Sequence, residues 1–174
     1  MKVYLDNSAT TYTDSVVLQE MLPYFTQNFG NGSSQHFYGR DALKAIDKAR
    51  EQVAKAINCS PSEVYFTSGG TESDNWAING YANAHKDKGN HIITSCIEHP
   101  AVIQTCKALE KQGFDVTYLK VDNEGFISLE ELKSSITDKT ILISIMTANN
   151  EIGTIQPIEE IAKIAMQFCF ALQF

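Results

Sequence analysis

The chain has 174 residues, a formal charge of -7 and a sequence pI near 5.0. That length suits one ordinary domain able to bury roughly 70% of its unfolded surface, so neither a disulfide nor a metal is needed for a core. The acidic balance, with no block of basic residues, excludes a nucleic-acid or anionic-membrane surface and makes any phosphate site a local one.

In chain order, a β-rich run from Val3 to Leu5 precedes a helical pattern from Val16 to Phe29. Residues 30–37, Gly-Asn-Gly-Ser-Ser-Gln-His-Phe, hold too many turn formers to join either neighbour and are expected to be a loop. The segment Arg40 to Ile57 follows, with apolar residues at 42, 43, 46, 49, 53 and 57, a core-facing helical stripe. Strand and helix then alternate: Glu63 to Thr67 and Thr71 to His85, His91 to Ser95 and Pro100 to Gln112, Val116 to Val121 and Leu129 to Ile136. A strand from Thr140 to Met146 and a helix opening at Pro157 complete the series. Such alternation predicts an α/β fold, a mostly parallel sheet between helix layers. The last helix carries an apolar stripe at 158, 161, 162, 165, 168, 169 and 172, and after Lys163 the chain has no charge. Too short to span a bilayer, this tail is expected to be a core helix beside an unfinished sheet edge, and self-association is expected with it.

Cys59, Cys96, Cys106 and Cys169 are far apart with no Cys-x-x-Cys pair, and the amino terminus has no charged run or apolar signal core. Both features point to a cytoplasmic, reducing setting.

Chemistry concentrates at turns that follow strands. The run Val64-Tyr-Phe-Thr-Ser-Gly-Gly-Thr-Glu-Ser-Asp-Asn75 passes from a strand pattern through paired glycines into a helix start. One reading is a plain capped turn, with Thr71 as N-cap and Asp74 closing a capping box. The other is a cup for a single phosphate, with helix N–H groups and the hydroxyls of Thr71 and Ser73 as donors. Neither a Gly-Lys-Ser/Thr nor a Gly-x-Gly-x-x-Gly follows, which sets aside nucleotide loops. His99, in Ser95-Cys-Ile-Glu-His-Pro100, is either a solvated loop histidine or a flat ring facing a bound aromatic. A Cys96–His99 nucleophile has only sequence proximity behind it. Asn149-Asn150-Glu151-Ile152-Gly153 is either a plain turn or a source of amide hydrogen bonds to a ligand. In a parallel sheet all three features fall at the carboxyl edge, where ligands bind.

Five stretches carry a resemblance: Tyr4-Leu-Asp-Asn-Ser-Ala-Thr-Thr11, Gly30-Asn-Gly-Ser-Ser-Gln-His36, Phe66-Thr-Ser-Gly-Gly-Thr-Glu-Ser-Asp-Asn75, Glu98-His-Pro-Ala-Val102 and Ser144-Ile-Met-Thr-Ala-Asn-Asn-Glu-Ile-Gly153. In these the chain resembles the cysteine desulfurases of the class V aminotransferase family, pyridoxal-phosphate enzymes of fold type I. The resemblance implies a truncated, three-layer α/β/α large domain, with residues 1–15 as an amino-terminal arm and 16–174 as a partial cofactor-binding domain. It implies that Gly70 and Thr71 hold the phosphate of pyridoxal 5'-phosphate, that His99 stacks on its ring and that Asn150 hydrogen-bonds the ring hydroxyl oxygen. The implied reaction takes L-cysteine to L-alanine and an enzyme persulfide, supplying sulfur for iron-sulfur clusters and thio-cofactors.

The resemblance has departures. Gly32 stands where the family has Pro, and the family's ring-nitrogen aspartate, Schiff-base lysine and sulfur-accepting cysteine fall beyond residue 174. His85-Lys86 imitates the Schiff-base pair but sits at a polar helix end, as a C-cap region. No catalytic residue and no metal ligand is therefore assigned, and the chain alone is expected to be inactive. The partners implied are a homodimer or a full-length desulfurase subunit and sulfur-acceptor scaffold proteins, with no nucleic acid and no membrane. Two alternatives are a non-catalytic partner of a full-length desulfurase and a portion of a selenocysteine lyase or another class V member.

Overall fold

The computed structural model describes residues 1–167 and the backbone of residues 171–173. It divides into two compact units, Met1–Phe66 and Thr67–Phe174.

In the first unit, α1 (Ser15–Thr26) starts where the Asp14 carboxylate accepts the Val16 N–H at 2.8 Å. α2 (Phe37–Ala56) starts where the His36 ring accepts the Gly39 N–H at 3.3 Å, so the helix opens three residues before the expected Arg40 and the loop histidine is its cap. At Gly39 a Cβ would stand 2.1 Å from the Ser34 carbonyl oxygen, a backbone approach only glycine allows. The stripe expected to face a core is only partly covered: Ala42 is buried, while Leu43, Ile46, Val53 and Ile57 remain exposed. Among the described residues, two expected strands do not form. Residues 3–5 are exposed and unpaired in any sheet. In place of a strand from Glu63, Pro61–Glu63 make a 3-10 turn whose Ser60 and Glu63 cap each other. The Val64 N–H then returns to the Pro61 carbonyl, and the Val64 carbonyl accepts Arg50 Nε at 3.2 Å. Groups spent on such local bonds have none left for a ladder.

The second unit runs α3 (Gly70–Ala84), β1 (His91–Ser95), α4 (Pro100–Glu110), β2 (Asp115–Leu119), α5 (Leu129–Ser135), β3 (Thr140–Ser144), α6 (Ile158–Gln167) and β4 (Ala171–Gln173). Its sheet has the order β2-β1-β3-β4, parallel throughout, as the alternation of elements predicts. Every residue of β1 and β3 is buried, the apolar centres Ile92 and Ile93 and Ile141, Leu142 and Ile143 being flanked by buried His, Thr and Ser. Successive side chains point to opposite faces. Ile92 and Leu142 pack with Ile78 and Ala82 of α3 and with Val102, Cys106 and Leu109 of α4. Ile93 and Ile143 pack with Leu132 of α5 and with Ile161, Ile164 and Ala165 of α6. Helices on both faces make the three layers. The tail departs from expectation: α6 ends at Gln167, and β4 pairs with Leu142–Ser144 of β3, giving that edge a ladder. Positions 168 and 169 of the expected stripe lie outside the described residues, and no described helix is long and apolar enough to cross a membrane.

One buried titratable group sits at the opposite end of the sheet from the turns singled out above. His91, 4% exposed, places Nδ1 2.7 Å from Thr140 Oγ1 and Nε2 2.9 Å from Thr117 Oγ1, joining all three neighbouring strands. Burial lowers its pKa below the ordinary 6.5, with nearby Asp115 opposing. A histidine with a depressed folded-state pKa binds fewer protons folded than unfolded, so its contribution is full above pH 6.5 and is lost as pH falls below that value. Unfolding free energy measured from about pH 8 down to pH 5 should fall more steeply for the wild type than for His91→Asn. Parallel curves would refute this.

Candidate cofactor site

The phosphate turn opens the second unit, and its local chemistry differs from the expected capping box. The N-cap of α3 is Gly69, which has no side chain to cap with, and Thr71 already lies inside the helix. The Thr71–Asp74 box is thus replaced by a loop closed from Glu72, whose Oε2 accepts both the N–H and the hydroxyl of Ser68 at 2.6 Å. Those two bonds, the hydroxyl first, hold the Glu72 carboxyl below its usual range. Thr67 and Ser73 share a hydroxyl–hydroxyl bond of 2.7 Å behind the turn. Ser73 is committed there, whereas among the described residues no side-chain hydrogen bond engages the Thr71 hydroxyl. A Cβ built on Gly69 or Gly70 meets nothing within 4 Å, which leaves an open cradle in front of the helix's first turn. The positive end of the α3 dipole and its leading N–H groups suit a phosphate there.

His99 ends the β1–α4 connection and caps α4, its Nδ1 accepting the Ala101 N–H at 3.1 Å. That bond leaves the proton of a neutral ring on Nε2, a tautomer assigned from the geometry. The residue itself is exposed. Cys96 is exposed on the same connection, but among the described residues no hydrogen bond joins it to His99. Cys106 is buried, and burial pushes its thiol up to about 12, so it is inert.

Asn149 and Asn150 have different jobs. Asn149 is buried: its Nδ2 donates to the Ile97 carbonyl at 2.9 Å, and its Oδ1 accepts the N–H groups of Glu151 and Ile152 at 2.8 and 3.0 Å. Asn150 is exposed, with one contact of 3.3 Å to Glu151 Oε1, and its amide is available to a ligand. The resemblance singles out Asn150, whereas sequence reasoning assigns Asn149 no role of its own and includes Glu98 within a matching stretch without assigning it one. The buried Glu98 carboxylate accepts Ser95 Oγ and the Met146 N–H, each at 2.8 Å. The β1–α4 and β3–α6 connections are thereby fastened together, and Asp74 of α3 shares a small cleft with Glu98, His99, Ser144 and Met146. A long acidic side chain between a strand and a Pro-started helix was the available signal.

His85 is the C-cap of α3, stacked on Tyr81 at 3.9 Å with Nδ1 3.0 Å from the Tyr81 carbonyl, which matches the helix-end reading of His85-Lys86. Among the described residues no group of three or more His, Cys, Asp or Glu could hold a metal ion. An open glycine cradle at a helix start, an exposed imidazole and an exposed amide fit a flat, phosphorylated, aromatic ligand.

The "Cysteine desulfurase IscS" of Clostridium botulinum is 58% identical over 166 residues, 95% of this chain and 42% of that protein. The protein of the same name from Methanosarcina thermophila is 60% identical over 165 residues, 95% of this chain and 41% of its own. Among solved structures, a "NifS-like protein" matches with a TM-score of 0.95 at 44% identity, covering 99% of this chain and 48% of its own. "SspA in complex with cysteine" matches with a TM-score of 0.90 at 42% identity, covering 95% and 48%. The chain thus spans about two-fifths of the length of the curated relatives it matches. The family profile for "Aminotransferase class-V" matches residues 3–172. With the fold, the family profile and the relatives in accord, the chain belongs to the class-V aminotransferases, a family of pyridoxal-phosphate-dependent proteins.

Proposed function

We propose that this chain is the cofactor-anchoring part of a cysteine desulfurase, which takes sulfur from L-cysteine for iron-sulfur cluster and thio-cofactor assembly. The observation that carries the reading is the open Gly69–Gly70 cradle at the start of α3, placed in one unit with the exposed His99 ring and Asn150 amide. Relatives 52% to 60% identical that bear the cysteine desulfurase name support the substrate class. In this reading the N–H groups of Gly70 and Thr71, with the Thr71 hydroxyl, hold the cofactor phosphate. His99 lies against the ring, and Asn150 bonds its hydroxyl oxygen. When bound, pyridoxal phosphate supplies an electron sink, and the protein's part is to place it and exclude competing contacts. His99 contributes an aromatic ring whose Nδ1 is committed to the Ala101 N–H.

Residues 1–15 serve as an arm and 16–174 as the cofactor-binding domain. The chain works in the cytoplasm, as a homodimer or with a full-length desulfurase subunit, and the sulfur passes to an acceptor scaffold. α1 supports association: none of its residues is buried, and Val16, Leu18, Leu22 and Phe25 are all exposed.

Titrating the purified chain with pyridoxal phosphate tests the reading by visible absorbance and by quenching of protein fluorescence. Saturable binding is expected, weakened about tenfold by Thr71→Ala, the loss of one charge-assisted hydrogen bond. Binding indifferent to Thr71, or none, would overturn the assignment.

A further inference from the structure

We propose that Glu98 is a positioning residue for His99, holding the imidazole where a cofactor ring can meet it. This rests on the reading of His99 as the residue that faces the ring. Three observations carry it. Glu98 is 8% exposed, an uncommon place for a carboxylate unless it is fully engaged. One oxygen, Oε1, takes both of its bonds, the Ser95 hydroxyl at the end of β1 and the Met146 N–H just past β3, each at 2.8 Å. The residue that follows Glu98 is His99, whose own Nδ1 is spent on the cap of α4. The imidazole is therefore fixed from two sides: α4 sets its rotation through the Ala101 N–H, and Glu98 sets its height over the sheet edge through β1 and β3.

The tie also fastens the two connections of the site to each other. Met146 leads into Asn149, whose amide reaches back to the Ile97 carbonyl at 2.9 Å. Glu98 and Asn149 thus cross-link the segment carrying His99 to the one carrying Asn150, so that the ring face and the amide move as one body. Oε2 takes neither bond. Burial pushes the Glu98 carboxyl up, with nearby Asp74 adding to the effect. A proton gained there resides on Oε2 and leaves Oε1 free to accept both bonds, so the tie survives a change of ionisation. A glutamine at this position retains an acceptor oxygen, whereas an alanine retains none.

The experiment compares Glu98→Gln, Glu98→Ala and Ser95→Ala with the wild type by two readouts. The first is the pair of imidazole nitrogen signals of His99 in ¹⁵N-labelled ligand-free protein, and the second is pyridoxal phosphate affinity. Glu98→Gln is expected to keep the Nε2–H tautomer signature and wild-type affinity to within about twofold. Glu98→Ala is expected to mix the tautomers and to weaken affinity about tenfold, while Ser95→Ala, which removes one of the two donors, falls between them. Should Glu98→Ala not fold, the order of Glu98→Gln, Ser95→Ala and wild type decides the matter. His99 signals unchanged in Ser95→Ala, or moved as far in Glu98→Gln as in either truncation, would overturn the proposal. Absence of cofactor binding in every variant, with the His99 signals still separating Gln from the truncations, would retain the tie and reject only the cofactor reading.

Discussion

Gly70→Val is expected to weaken pyridoxal phosphate binding by more than about a hundredfold while leaving the melting temperature unchanged or slightly raised. The two effects separate because of where the glycine stands. A Cβ at position 70 meets no protein atom within 4 Å, and the backbone there is not left-handed, so a valine enters without clash or strain. Valine is also a somewhat better helix residue than glycine, by a few tenths of a kcal/mol. The space it fills is the cradle in front of the first turn of α3, which a phosphate must occupy to reach the helix N–H groups. Gly113→Val supplies the opposite case. Its φ of +95° forces a branched side chain into left-handed backbone, costing about 1–2 kcal/mol in stability, at a turn far along the chain from the cradle. Thermal melts and cofactor titrations of both variants should therefore dissociate in opposite senses. Undiminished affinity in Gly70→Val would place the phosphate elsewhere.

The parts of this structure legible in the sequence are those decided locally. β1 and β3 are buried on both faces around short apolar centres, Ile92 and Ile93 in one and Ile141, Leu142 and Ile143 in the other, and were located to within two residues. The helices that start on Ser128, His99 and Asp14 carry their own caps. What escaped depends on partners distant in sequence. Residues 3–5 and 64–67 have β-rich composition, yet a strand exists only with a neighbour to bond, and composition does not say whether one arrives. The uncharged tail shows the reverse: its apolar stripe suited a helix, but β3 offered a free edge, and residues 171–173 pair with it. The site divides in the same way. The glycine cup could be read as a pattern, whereas the choice of Gly69 over Thr71 as cap turned on Glu72 folding back to Ser68. The role of Glu98 depends on Met146, 48 positions later, whose N–H comes within 2.8 Å of its carboxylate.

The adjacent asparagines carry the second large prediction. Asn149→Ala is expected to destabilise the protein by about 2–4 kcal/mol, because it strands the Ile97 carbonyl and the Glu151 and Ile152 N–H groups at once. At this chain length that is a fall of roughly 5–15 °C in melting temperature. Asn150→Ala should cost less than about 0.5 kcal/mol, since the residue is exposed and its single contact is 3.3 Å long. For cofactor binding the order changes. Asn150→Ala removes the amide that the proposed function assigns to the ring hydroxyl oxygen, and affinity should fall about tenfold with the melting temperature intact. Asn149→Asp refines the first half: it retains the acceptor for both N–H groups but replaces the donor to Ile97 with a buried charge, so it should be no more stable than the alanine variant. If Asn150→Ala leaves affinity untouched while Asn149→Ala unfolds the loop, the turn is purely structural and Asn150 has no part in the site. If the two substitutions cost the same stability, the division of labour between buried and exposed amide is wrong.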